Sequence, residues 1–292
     1  MRATTERERG FALLALVLLG LIWGYNWVVM KIGVQGASPF VFAAWRTFGG
    51  AIVLALVGLL LRRPMRPQYP LQTFWIGLFQ TAGFIGLASW AVASAGAGQV
   101  AMLAYTMPLW VALIAWPVLG ERIGRMQGIA IAVAFAGTAC MIGPLHGNVI
   151  SDIVAVSAGL SWAIGIVLAK RLARRFTIDV FSLTLWQMFA GGAVLAIVAL
   201  VVPSHPTVWS PSYIFAIAYN VVIATALGYT LFLFVLRALP ARDAGMGTLA
   251  VPVVGVLAGW FQLGEVPGAR SAIGMALIVI GLIVLSVADR PL

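Results

Sequence analysis

The amino-acid sequence predicts an all-α integral membrane protein with ten transmembrane helices, arranged as two inverted five-helix repeats around a central cavity. Three observations support this fold class. Hydrophobic residues make up 62% of the 292-residue chain and charged residues only 9%, whereas soluble proteins carry about 25% charged residues. Apolar runs of membrane-spanning length recur along the whole chain. The second half of the chain also repeats the first.

Each apolar run has the length that a helix needs to cross a bilayer, about 17 to 25 residues. Pro, Gly or charged residues separate the runs. They cover 11–30, 39–61, 71–93, 97–118, 126–143, 151–170, 180–202, 212–236, 243–262 and 271–288. Backbone groups in lipid must bond internally, and barrel-type alternation is absent, so the runs predict helices. The first run exceeds a signal-peptide core and is expected to remain as a span.

Basic residues indicate how the predicted helices are oriented. Fifteen of the 18 Lys and Arg residues fall on one side of this topology, Lys31 and Arg270 fall on the other, and Arg46 lies inside a span. Cytoplasmic loops are enriched in Lys and Arg, so we expect both termini in the cytoplasm and the protein in the bacterial cytoplasmic (inner) membrane. The charges form short clusters between apolar runs, which argues against a nucleic-acid partner despite the net charge of +10. The single cysteine, Cys140, excludes an intramolecular disulfide.

Two distant stretches are nearly the same, WPVLGE at 116–121 and WFQLGE at 260–265. Aligning 99–143 with 243–287 requires no gap and gives 11 identities in 45 positions, against about four expected by chance. Upstream, GLIWGYNWVVMK at 20–31 matches GLSWAIGIVLAK at 159–170. The chain is therefore predicted to contain two repeats, 10–143 and 151–288, of five spans each.

Five spans is an odd number, so the second repeat must enter the membrane from the opposite side. Inverted repeats are typical of secondary transporters, which bind their substrate near the membrane midplane where the repeats meet. Two halves of similar energy can exchange conformations, which makes inward-open and outward-open states comparably populated. The sequence therefore favours a carrier that works by alternating access.

The repeat also resembles a known family. Trp23, Arg46, Pro108 and the closing Leu-Gly-Glu at 119–121, with a second set in the other half, resemble the EamA repeat of the drug/metabolite transporter superfamily. The second set is Trp162, Pro252 and Leu-Gly-Glu at 263–265. The resemblance implies a ten-helix inner-membrane carrier with helices 5 and 10 at the periphery, and it is greatest to bacterial aromatic amino-acid exporters. The chain departs from a perfect repeat because Gln187 stands near the second-half position of Arg46.

Aromatic residues near mid-membrane are the first candidates for contact with a substrate. Trp23 and Trp162 lie about 18 Å and 16 Å from the starts of their helices, too deep for an interfacial belt. Trp23, Asn26 and Trp27 share one helix face, which suits a flat apolar ligand with a polar end. Packing between helices is the alternative interpretation of these residues.

Further candidates are polar or aromatic residues within other spans. Polar groups at this depth indicate either bonds between helices or a water-filled path, and the sequence leaves both open. These candidates are Gln80, Phe84, Thr106, Tyr219, Asn220 and Thr248.

Two prolines are predicted to act as hinges. Pro108 and Pro252 occupy matched places in the two repeats. A proline within a helix removes a backbone donor and frees a carbonyl, which predicts a kink with exposed acceptors suited to an ammonium group. A static kink is the alternative.

Charged residues near the spans have two interpretations each. Arg46 could bind a substrate carboxylate bidentately, or it could tie helix 2 to carbonyls of a neighbour, and the expected lipid exposure of helix 2 favours the tie. Glu121 and Glu265 end two matched helices and are expected to cap the next helix or bond loop amides. A gating role is the alternative for both glutamates.

No acidic residue is predicted deep within a span, and both histidines fall in outer loops. No metal, cofactor or catalytic motif is evident, so the protein is not expected to be an enzyme. The leading hypothesis is export of aromatic and apolar amino acids by facilitated diffusion. The alternatives are a sugar-phosphate or nucleotide-sugar carrier and a non-transporting scaffold. The expected partners are a small-molecule substrate and the lipid bilayer. The oligomeric state is left open, and a monomer is compatible with this architecture.

Overall fold

The structure, a computed structural model, describes residues 6–142, 148–239 and 249–288. All regular structure within these ranges is helical. Residues 243–248 of the predicted span 243–262, Thr248 among them, lie outside the described residues.

The helices follow the predicted apolar runs. In chain order they are α1 (Glu6–Gly36), α2 (Pro39–Leu60), α3 (Pro70–Ser94), α4 (Ala97–Leu119), α5 (Arg125–Met141), α6 (Val149–Ala173), α7 (Val180–Val201), α8 (211–238), α9 (Ala250–Leu263) and α10 (Ala269–Ala288). Eight of these are long and apolar enough to cross a membrane. The other two, α5 and α9, are apolar but shorter, with 17 and 14 described residues. The protein is a multi-pass membrane protein.

Two kinds of residue mark the helix starts: prolines, which have no backbone N–H, and capping residues, whose side chains accept hydrogen bonds from the free N–H groups of the first turn. Pro is the first residue of α2, α3 and α8, where its missing N–H has no helical partner to lose. The side chains of Asn148, Asp179 and Ser210 accept hydrogen bonds from N–H groups at the starts of α6, α7 and α8. Such caps stabilise a helix by about 1 kcal/mol each.

The repeated Leu-Gly-Glu motif ends α4 and α9 in the same way. Gly120 and Gly264 have φ angles of 71° and 69°, in the left-handed region that glycine enters without strain. The N–H of the following residue, Glu121 or Glu265, donates to a carbonyl six residues earlier, at 3.4 Å in α4 and 3.2 Å in α9. The N–H of each glycine also donates to the carbonyl four residues earlier, that of Trp116 or Trp260, which is the αL motif of a helix end. This turn fixes the direction in which each glutamate leaves its helix.

The helix ends define two faces of the bundle. The basic face carries the α2–α3, α4–α5 and α6–α7 connections, which contain Arg62, Arg63, Arg66, Arg122, Arg174 and Arg175. The opposite face carries the α1–α2, α3–α4, α7–α8 and α9–α10 connections. Hydrogen bonds join distant connections within each face. At the basic face the Trp186 indole donates to the Met65 carbonyl at 2.7 Å, and at the opposite face the Val208 N–H donates to the Gly36 carbonyl at 2.8 Å.

Helices α5 and α10 form a pair beside the main bundle. They pack closely along glycines: a Cβ on Gly137 would lie 2.6 Å from the Gly274 carbonyl, and one on Gly281 would lie 2.6 Å from Ala134 Cβ. The remaining helices pack among themselves, with α1 on α8 and α9, α2 on α7, and α6 on α3 and α4. The main hydrophobic core lies among these eight helices and extends to the inner sides of α5 and α10.

Helix α4 is interrupted a short distance before its proline, Pro108. Its segments are Ala97–Ala104 and Met107–Leu119, and Pro108 lies in the first turn of the second segment. Pro252 likewise lies in the first turn of α9 as described. A proline disrupts the helix over the four residues before it, so the interruption at residues 105 and 106 lies where a kink at Pro108 is expected. The residues before Pro252 that would show the second kink lie outside the described ranges. The Ala104 carbonyl, which Pro108 leaves without a donor, faces Gly159 of α6, so it is not an exposed acceptor.

Helices α3 and α8 each contain a π-helical stretch, Gly77–Gly83 and Tyr219–Leu227. The two stretches begin 142 positions apart, an offset that falls between the offsets of 139 and 144 that align the two halves. Such segments have wider turns than an α-helix and are often found at functional sites. Neither was expected from the sequence.

Candidate functional site

A cavity of about 330 Å³ lies between α4, α5, α6, α9 and α10, towards the basic face. Its walls include Tyr105, Pro108 and Trp162, and its outer end carries Glu121, Arg122 and Lys170. The volume falls within the range of small-molecule sites, about 300 to 1,000 Å³. The cavity combines an aromatic interior with a mouth that carries both signs of charge.

Aromatic rings continue from this cavity into the bundle. Phe84 contacts Trp162 edge-on, with ring centroids 4.8 Å apart, and contacts Trp27 at 6.4 Å. Trp27 is 4% exposed and packs close to Gly255 of α9. Of these three predicted site residues, Trp162 lines the cavity, Phe84 supports it, and Trp27 is buried behind them.

Trp23 faces α8 on the other side of α1. Its indole N–H donates to the Ala224 carbonyl in the π-helical stretch at 2.9 Å, and its ring lies 6.0 Å from Tyr229. The Tyr219 hydroxyl in turn donates to the Ile22 carbonyl at 2.9 Å. Trp23 and Tyr219 therefore join α1 to α8. The same relation recurs on α6, where the Ser161 hydroxyl donates to the Phe79 carbonyl in the π-helical stretch of α3 at 2.8 Å.

The polar candidates divide into two groups. Thr106 and Asn220 are fully buried and bond carbonyls of their own helices, which fits packing. Asn26 is nearly buried, and its Oδ1 has no hydrogen-bond partner among the described residues. Gln80 is partly exposed beside Gly165 of α6. Hydrogen-bonding capacity for a ligand remains on Asn26, on Gln80 and also on Asn220, whose Oδ1 has no partner among the described residues.

Arg46 is buried, with 9% of its surface accessible. Its neighbour Trp45 is 52% exposed, so α2 does have an outward face, but Arg46 is on the other side. The predicted tie to carbonyls of a neighbouring helix is wrong, since Arg46 makes no hydrogen bond to the described residues. Tyr229 of α8 is close enough to interact with it electrostatically.

The two motif glutamates bind different groups, and neither caps the next helix. Glu265 accepts hydrogen bonds from the N–H groups of Ala97 and Gly98, at 2.9 Å and 3.1 Å, so it caps α4 from the other half of the chain. Glu121 is bonded by Arg174 at 2.6 Å and lies 3.5 Å from Lys170. A recess of about 240 Å³ surrounds Glu265 at the opposite face.

Sequence reasoning missed the environments of two charged residues near the opposite face, the partly buried Lys31 and the buried Asp152. Lys31 donates to the carbonyls of Val92 and Ala95 at the end of α3, at 2.8 Å and 2.9 Å. Asp152 has no exposed surface and accepts a 2.6 Å hydrogen bond from the Gln99 amide. Two features of the sequence could have drawn attention to them. Lys31 matches Lys170 in the repeat, and Asp152 is an acidic residue in the first turn of an apolar run. Asp152 lies in the first turn of α6, at a span end as predicted, but its complete burial was not expected.

The family model of the EamA-like transporter family matches residues 10–143 and again 149–287. The chain is 26% identical to YoaV of Bacillus subtilis, described as an uncharacterized transporter, over 92% of this chain and 94% of the relative. It is 25% identical to a probable amino-acid metabolite efflux pump of Salmonella typhimurium, over 95% and 94%. A crystal structure of another protein superposes with a TM-score of 0.66 at 20% identity, covering 94% and 97% of the two chains, which shows a shared fold.

Proposed function

Because the chain belongs to the EamA-like transporter family, we propose that it exports aromatic and other apolar amino acids across the bacterial cytoplasmic membrane by alternating access. The observation that carries this proposal is the cavity of about 330 Å³, with Trp162 in its wall and charged groups of both signs at its mouth. A zwitterion with an apolar side chain matches that lining. The Salmonella relative, an amino-acid metabolite efflux pump by its description, is consistent with this substrate class.

The orientation follows from the distribution of basic residues. Positively charged loops stay in the cytoplasm, and the basic face carries almost all of them. On this orientation both termini are cytoplasmic and the cavity opens to the cytoplasm, where an exporter collects its substrate.

The proposed mechanism uses two inverted repeats, 10–143 and 151–288, with ten spans in total. It is supported by the contact between α4 and α9, which are equivalent helices of the two repeats. The end of α9 meets the beginning of α4 through Glu265, as expected for equivalent helices that run in opposite directions. Inverted repeats place equivalent gates at the two membrane faces.

Glu265 is proposed as the gate at the opposite face. Its carboxylate holds the start of α4 against the end of α9, and two charge-assisted hydrogen bonds of this kind are strong. At the basic face the equivalent Glu121 instead pairs with Arg174 and Lys170 beside the cavity. The structure then corresponds to a state that is open to the cytoplasm and closed outside.

The π-helical stretches are proposed as the hinges, in place of Pro108 and Pro252. Each stretch lies on a helix of one half and is held by a side chain from the first helix of the other half, Trp23 or Ser161. Rocking of one half against the other would move these stretches directly.

Facilitated diffusion was inferred because the sequence offered no buried carboxylate that could carry a proton. Asp152 is such a carboxylate, so the proposal does not include a mode of energy coupling.

The test is counterflow of radiolabelled phenylalanine in proteoliposomes. We expect the wild type to exchange phenylalanine and Trp162→Ala to lose about fivefold in rate, since an aromatic contact contributes about 1 kcal/mol. Trp75→Ala is the matched control, because Trp75 is 46% exposed outside the cavity. Exchange of glucose 6-phosphate without phenylalanine would favour the sugar-phosphate alternative, and no flux of any solute would favour a scaffold.

A further inference from the structure

Arg46 is a buried cation that lacks a counter-ion within the described part of the chain. It is more than nine-tenths buried in α2, and no hydrogen bond or ion pair joins it to a described residue. Arginine carries five N–H donors and stays charged. Leaving such a group unpaired inside a membrane protein is costly.

The carboxylates whose contacts the structure describes are engaged elsewhere. Glu121 pairs with Arg174, and Glu265 caps α4. Asp152 binds Gln99 and Asp179 caps α7. These four lie near the ends of helices, whereas Arg46 lies about 10 Å into α2 from its start. None of the four therefore neutralises Arg46 in this state.

We propose that Arg46 determines specificity by binding the carboxylate of the transported solute; this rests on the proposed function and names its recognition chemistry. A guanidinium binds a carboxylate through two parallel N–H···O bonds. Arg46 does not line the cavity of about 330 Å³, so the solute would supply the missing counter-ion at a later stage of its passage through the bundle and remove it on leaving. Transport then requires a carboxylate, and an otherwise identical amine is rejected.

The position of Arg46 fits this role. Tyr229 of α8 is its electrostatic neighbour, and α2 packs on both α7 and α8, so Arg46 lies where the two halves meet. Gln187, near the repeat position of Arg46, is 5% exposed, and its Oε1 has no partner among the described residues. The first repeat thus provides a cationic hydrogen-bond donor, Arg46, and the second repeat provides a neutral acceptor, the Gln187 Oε1. That asymmetry matches a zwitterion, whose carboxylate needs donors and whose ammonium needs acceptors.

The first experiment needs no variant. Unlabelled phenylalanine, 3-phenylpropionate, phenethylamine and glucose 6-phosphate compete with radiolabelled phenylalanine in counterflow by the wild type. We expect both carboxylates to compete at least about tenfold more strongly than phenethylamine, because charge-assisted hydrogen bonds contribute about 1.5 to 3 kcal/mol. Equal competition by phenethylamine would overturn the proposal. Competition by glucose 6-phosphate as strong as that by 3-phenylpropionate would overturn the assignment to a carboxylate.

The second experiment uses Arg46→Gln and Arg46→Lys, with Arg125→Gln as the control. Arg125 is exposed at the start of the peripheral helix α5. We expect Arg46→Gln to abolish the tenfold preference for 3-phenylpropionate over phenethylamine, and Arg46→Lys to retain part of it. The control should keep it fully. Retention of the preference in Arg46→Gln would refute the role.

Thermal unfolding of the purified wild type with the same ligands separates this proposal from the proposed function. If phenylalanine is not transported, the exporter proposal fails. The carboxylate site then still predicts that 3-phenylpropionate raises the unfolding temperature more than phenethylamine does, in the wild type and not in Arg46→Gln. Equal shifts for the two ligands would exclude a carboxylate site at Arg46.

Discussion

At the scale of single residues, glycine has two distinct uses in this protein. Gly120 and Gly264 need their positive φ angles, which cost other residues about 1 to 2 kcal/mol. Gly128 has ordinary helical geometry on the exposed side of α5, with nothing within 4 Å of an added Cβ. The same substitution should therefore have opposite effects at the two kinds of site.

We expect Gly264→Ala to lower the free energy of unfolding by about 1 to 2 kcal/mol, with Gly120→Ala similar. Gly128→Ala should be neutral or stabilise by up to about 1 kcal/mol, because alanine is the better helix former. Thermal unfolding of the purified variants in one detergent measures both. A loss at Gly128 equal to the loss at Gly264 would show that backbone conformation is not the cause.

Arg46 shows how far a sequence can lead at this scale. A charge inside an apolar run is visible in the sequence, and it predicted either a ligand site or a structural tie. Which of the two applies depends on what other helices bring near it. The structure argues against the tie, because no described carbonyl accepts a hydrogen bond from Arg46. The surroundings of Arg46 depend on how α2 packs against α7 and α8, which the sequence of α2 alone does not determine.

At the scale of helices, the sequence predicted most of what hydropathy and end signals control. Within the described residues each apolar run lies on a helix, whereas the caps Asn148, Asp179 and Ser210 were identified only in the structure. Pro108 indicated a disturbance of α4, and the interruption lies at residues 105 and 106, within the four residues before it. The π-helical stretches had no sequence signal, since contacts from a distant helix hold them.

Those contacts make the π-helical stretch of α3 sensitive to a single hydroxyl group. Ser161→Ala removes the hydrogen bond to the Phe79 carbonyl, which contributes about 1 kcal/mol. We expect hydrogen exchange across Gly77–Gly83 to accelerate about fivefold. Mass spectrometry of the exchanged peptides provides the measurement.

Ser157→Ala is the matched control, because Ser157 lies one turn earlier on α6 and bonds the Ile153 carbonyl of its own helix. Its removal should leave exchange in Gly77–Gly83 unchanged. Equal acceleration by the two variants would indicate general loosening of α6 and would contradict a specific restraint on the π-helical stretch.

At the scale of the whole molecule, the two motif glutamates link local structure to the conformational state. Their sequence context is nearly identical, and both leave their helices through the same left-handed glycine turn. Their partners nevertheless differ: backbone amides of α4 for Glu265, and side chains of α6 for Glu121. The residue that Glu265 meets is 168 positions away, so no local pattern in the sequence could have identified it.

This difference predicts that removing the Glu265 carboxylate opens the opposite face. Glu265→Ala loses both hydrogen bonds to α4, and we expect the open population to rise about tenfold or more. Met102 on α4 is 2% exposed, so a cysteine there reports opening. The background is Cys140→Ala with Met102→Cys, and the measurement is labelling by a membrane-impermeant maleimide added from outside. Glu121→Ala, at the basic face, should not increase that labelling. If it increases labelling as much as Glu265→Ala, the glutamates do not act as separate gates, because either removal would then merely loosen the whole bundle.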